Sequence, residues 1–173
     1  MIQIDDLVVL WVDDEMDHTK QILGEYSDTP GPGCIDRSLR PGFEASQLRY
    51  WNPMFLDQPT EDIEADFRRC EAYCAGKWHY EGCIVRAVVS YAVDAEGHRR
   101  VEHLSSAGIF GIESDSPEVY RLELVAIQLG ELKEHLAHFG VEWNDVAIKF
   151  VQEQFRKLSQ LREAQPEMAP GSE

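Results

Sequence analysis

Three clusters in this chain have residue types and spacings that could do chemistry. Cys70, Cys74, His79 and Cys83 place three sulfurs and an imidazole within 14 residues, enough soft donors to close a tetrahedral zinc site. Against that, Cys70 and Cys74 continue an apolar helical stripe, where a free cysteine behaves as a small buried hydrophobe. We adopt the second reading and expect no metal or cofactor. Asp13, Asp14 and Glu15 follow a short apolar run and offer hard oxygen ligands, with a solvated acidic turn as the default. Glu131, Glu134, His135 and His138 fall on neighbouring faces of one predicted helix, as a carboxylate-bridged metal site would require. No second acidic helix with a matching Glu-x-x-His occurs, and histidines near a helix C-terminus are explained by the macrodipole. His103 precedes Leu104 and Ser105 on a predicted strand and has no partner motif. P-loop, GxGxxG, GxSxG and HExxH patterns are absent.

The elements that must position these groups follow from periodicity. Leu7 to Val12 is a short apolar run that favours a buried strand. Residues 28–42 are punctuated by Pro30-Gly31-Pro32-Gly33 and Pro41-Gly42, which predicts an irregular wrap, and Glu44 to Tyr50 suits one or two helical turns. Thr60 is a fair N-cap for a helix whose stripe is Ile63, Phe67, Cys70 and Cys74 and whose end is Gly76. The alternation from Cys83 to Val93, the turn Asp94-Ala95-Glu96-Gly97 and the return from Arg99 to Phe110 predict a central β-hairpin over about 79–110. Gly108 and Gly111 at the strand end predict a bulge or a close backbone approach. Ser116 as N-cap with Pro117 at N1 opens a helix through Leu122, Val125, Leu129, Leu132, Leu136 and Phe139 to Gly140. A last helix, about Trp143 to Leu161, is expected to bury Val146, Phe150 and Val151. The fold class is therefore α+β, a small antiparallel sheet packed against several helices. We expect a single domain over 1–163, with an acidic, partly irregular lobe at 1–58 and a disordered tail at 164–173.

Composition bounds the partners. The 173 residues hold 32 acids and 16 bases, a formal charge of −16. Residues 1–66 hold 15 of the acids and four of the bases, so the charge is concentrated early in the sequence. Such a field repels nucleic acid and anionic membranes and attracts basic protein surfaces. No apolar run is long enough to span a bilayer, and the first residues lack a basic n-region, so a soluble protein of the cytoplasm with reduced cysteines is expected. The sequence leaves the oligomeric state open.

Resemblances are partial. Val8 to Glu15 resembles the first strand and acidic pair of a response-regulator receiver domain, but the βα alternation of that fold does not follow. The cysteine spacing resembles a zinc knuckle, and His103-Leu104-Ser105 resembles half of a 2H phosphoesterase motif. A wider pattern joins Arg69-Cys70-Glu71-Ala72-Tyr73, Gly76, Trp78, Tyr80 and Gly82 with Ser105 to Ser116, which contains Gly-Ile-Phe-Gly-Ile-Glu-Ser-Asp-Ser. This pattern, over residues 66–140, resembles small proteins of bacteriophages and other mobile elements for which no activity is established. The resemblance and the charge together lead us to expect a non-enzymatic interaction protein. Its mode would be that of anti-CRISPR and anti-restriction proteins that mimic DNA, occupying the basic groove of a nucleic-acid-handling host protein. The expected contacts are Asp13, Asp14, Glu15, Asp17, Glu61, Asp62, Glu64 and Asp66, with Glu113 and Asp115 on a contacting loop. The alternative is a metal-binding protein or metal-dependent enzyme using Asp13, Asp14 and Glu15 or the Cys/His set.

Overall fold

A computed structural model describes residues 2–164. In chain order the elements are β1 (Gln3–Asp13), α1 (Thr19–Ile22), β2 (Gly24–Ser27), β3 (Ile35–Asp36), a 3-10 turn (Arg37–Leu39), β4 (Tyr50–Pro53), α2 (Thr60–Cys74), β5 (Tyr80–Ala92), β6 (Arg99–Ser105), β7 (Ile109–Glu113), α3 (Glu118–His138) and α4 (Asp145–Ala164). The fold is α+β, with antiparallel strand pairing and packed helices, as the periodicities require. The described residues divide into two compact units, 2–13 with 81–164, and Asp14–Tyr80. The boundary at residue 58 expected from composition falls inside the second unit, because β1 pairs with β5 rather than with its sequence neighbours.

In the first unit, β5 is the central strand, paired with β1 on one side and with β6 and β7 on the other. Its alternation decides the layers. Cys83, Val85, Ala87 and Val89 are buried, and between them Ile84, Arg86 and Val88 are half-buried. The buried set joins Leu7, Leu124, Val125, Leu129, Leu132 and Leu136 in one core. At roughly 1.5–3 kcal/mol for each large apolar side chain taken from water, this seam dominates the unit's stability.

The return strand differs from the predicted hairpin. It breaks after Ser105, where Ser106 turns inward, its Oγ accepting from Val85 N at 3.0 Å while its own N donates to Val85 O at 2.8 Å. Gly108 then takes φ +90°, and a β-carbon there would lie 2.9 Å from the Phe110 ring, so the close approach read from the glycines is present. Two further expectations are corrected. Ser116 does not cap α3: its N donates to Glu113 O at 2.9 Å in a turn, and Pro117 takes the cap position without a side-chain bond. Val146 is exposed, because Ala147 and Leu158 form the buried line of α4 and turn it outward.

The second unit has a three-stranded sheet, β2-β4-β3, with Trp51 at its centre opposite both Tyr26 and Ile35. α2 lays Phe67 against the buried Trp51 ring, 5.5 Å between centroids, and Cys70 joins the same core. Glu44 to Tyr50 makes a single turn, Gln47 N donating to Glu44 O at 2.9 Å, the shorter of the two lengths expected, before β4 takes the chain from Tyr50. The expected tail at 164–173 lies outside the described residues beyond Ala164.

Candidate functional site

The eight acids expected to meet a partner divide into structural and exposed groups. Asp14 is structural: its side chain is 6% exposed, its Oδ1 accepts from Met16 N at 3.0 Å, and its Oδ2 lies 2.9 Å from His18 Nε2. Asp17 accepts from the backbone N of the buried Thr19 at 2.9 Å and from its hydroxyl. Glu64 pairs with Arg40, and Asp66 accepts from Gln58 Nε2 at 2.8 Å. Asp13 ends β1, exposed and in register with Glu81. Glu15, Glu61 and Asp62 are exposed, the last two in the first turn of α2, where the helix dipole favours them. Of the loop residues, Glu113 ends β7 half-buried and Asp115 is exposed.

The charge gradient along the sequence does not survive folding. Residues 14–80 hold 13 acids and seven bases, and the remainder, grouped with the first unit, holds 19 and nine. The acid excess is therefore proportionate to size in both. Arg68, Arg69 and Lys77 dilute the acidic sequence with which they fold, and Asp5, Asp6 and Asp13 leave it with β1. Where a guanidinium is paired, its effect is local: Arg49 and the Ser38 hydroxyl hold the Asp36 carboxyl well below the usual range. Hydrogen bonds from Ser90 and Gln3, and the charge of Arg99, lower Asp5.

The proposed zinc donors are not gathered. Cys70 is buried beside Tyr26 and Trp51, Cys74 and His79 are exposed, and Cys83 lies in the core of the other unit. Burial pushes the Cys70 thiol up and Cys83 to about 11, opposite to what a thiolate ligand needs. Among the described residues, one set of three donors lies within 4.8 Å of one another: Asp94, Glu96 and His98, all exposed on the β5–β6 turn. There Asp94 Oδ1 accepts from His98 N at 3.0 Å and Oδ2 meets the ring at 2.6 Å, which closes the turn.

A concavity of about 700 Å³ in the first unit lies between the Ser105–Ala107 turn and the C-terminal half of α3. Positions 131, 134, 135 and 138 follow the i, i+3, i+4, i+7 rule, so Glu131, Glu134, His135 and His138 share one face and line it. Three of the four are held from behind. Gly108 N donates to the fully buried Gln128 at 2.8 Å, and the Gln128 amide donates to Glu131 Oε2 at 2.9 Å. His135 Nδ1 lies 3.0 Å from Ser105 O and His138 Nδ1 2.8 Å from Glu134 O. A carbonyl only accepts, so both Nδ1 atoms carry a hydrogen and both rings are oriented by the backbone. The sequence placed these four residues together but gave no sign of the groove, which depends on the break after Ser105.

Comparison with family models, curated proteins and solved structures returned no match. The fold and its surface therefore define the class: a two-unit α+β protein, acidic throughout. No helix among the described residues is long and apolar enough to cross a membrane.

Proposed function

We propose that this chain is a non-enzymatic interaction protein that binds a Lys/Arg-lined surface of a nucleic-acid-handling protein, in the manner of DNA-mimicking inhibitors carried by phages and mobile elements. The observation that carries this reading is the acid excess of both units, 13 against seven and 19 against nine. Charge distributed in this way produces an extended negative field, which steers basic partners and weakens as salt screens it. Individual exposed pairs contribute little, and the sum over a surface sets the encounter rate. The metal reading loses support, since neither Asp13, Asp14 and Glu15 nor the Cys/His set converges on a common point.

The acids to alter are exposed ones outside the core, of which Glu61 and Asp62 serve the fold only through the dipole of α2. Replacing Glu15, Glu61 and Asp62 together by lysine changes the charge of Asp14–Tyr80 by six while leaving its core and its hydrogen bonds in place. We expect partner binding to weaken by an order of magnitude or more at low salt, with an unchanged circular-dichroism spectrum. Undiminished binding by the triple variant would remove these three acids from the interface.

A further inference from the structure

We propose that the groove at the C-terminal end of α3 receives an arginine side chain of the protein partner, an inference that rests on the interaction reading above and names a specific contact within it. Its lining is negative from two sources. Glu131 and Glu134 supply two carboxylates that have no ion-pair partner among the described residues. The last turn of a 21-residue helix adds the negative end of its dipole.

The occupant's size and shape follow from the same geometry. No three of the groove's titratable donors lie within 4.8 Å of one another, so a bare metal ion is not wrapped in this arrangement, whereas a planar fork of N–H donors spans wider acceptors. The concavity is far larger than an ion requires. Phe139 decides between the two protein cations. Its ring is 55% exposed at the rim, 5.2 Å from the His135 ring, so the pair offers an aromatic surface beside the carboxylates. A weakly hydrated guanidinium stacks on such a surface, and a strongly hydrated ammonium gains less there. Glu131 is also preset, because buried Gln128 holds one of its oxygens and leaves the other to the groove.

The test needs no partner. The full chain, labelled with ¹⁵N, is titrated with Nα-acetyl-arginine amide, with Nα-acetyl-lysine amide and with zinc chloride, following amide shifts. We expect saturable shifts confined to residues 105–108 and 131–139 for the arginine amide, several-fold weaker for the lysine amide, and lost in Glu131→Gln/Glu134→Gln. Both glutamates are exposed, so that variant should keep the remaining spectrum unchanged. Shifts spread over all acidic surfaces, equal for the two amides, would overturn the proposal, as would shifts at the groove with zinc alone. Failure here with partner capture intact removes only the arginine pocket. Saturable arginine binding without any partner leaves the pocket and removes the wider function.

Discussion

Asp14 shows how one carboxylate can be claimed by the fold rather than by a partner. It follows Asp13 directly, yet its side chain turns inward to the Met16 amide and the His18 ring, while Asp14 N donates to Tyr80 O at 2.9 Å. The His18 ring in turn meets Tyr80 edge-on at 5.0 Å. Removing one member of a partly buried hydrogen-bonded pair leaves the other without its partner. Asp14→Ala is therefore expected to cost about 1–3 kcal/mol of stability, read from denaturant midpoints. Glu15→Ala, one residue on and exposed, is expected to stay within about 0.5 kcal/mol of wild type. Spacing alone could not separate these neighbours, because the difference lies in which side chain reaches His18. Cys70 and Cys83 make the same point from the opposite side. Their places in apolar stripes were legible, and burial keeps both thiols protonated where a metal site would need thiolates.

At the scale of elements, strong periodicity was legible and local exceptions were not. The stripe through Ile63, Phe67 and Cys70 yields α2, although its fourth expected member, Cys74, is exposed in the last turn, and Leu122 through Leu136 yields α3. The Cys83–Val93 alternation likewise yields β5. What failed depended on partners distant in sequence. The second hairpin strand breaks where Ser106 bonds Val85. Gln128 is the clearest omission: a polar residue inside an apolar helical face gave no sign that it ties α3 to Gly108. Gln128→Ala leaves the half-buried Gly108 amide without its acceptor and a void where the fully buried Gln128 side chain lay, and about 2–4 kcal/mol of destabilisation is expected in thermal or denaturant unfolding. The same variant should loosen Glu131 and blunt the arginine-amide shifts.

At the scale of the molecule, the sequence showed how much charge there is and misplaced where it goes. Counting along the chain concentrates the acids before residue 67, but folding sends β1 to one unit and Arg68, Arg69 and Lys77 to the other. Both units then carry a similar excess of acid for their size, and the interaction reading rests on this shared field rather than on one acidic lobe. A field of this kind competes with phosphates for the same lysines and arginines, and it weakens with ionic strength as theirs does. The most direct measurement is capture from bacterial lysate on the immobilised full chain at low salt, eluted first with short duplex DNA and then with stepped salt. The account predicts a stoichiometric nucleic-acid-binding protein that duplex DNA displaces and that rising salt releases. A retained partner indifferent to DNA and salt, or no retained protein at all, would contradict it.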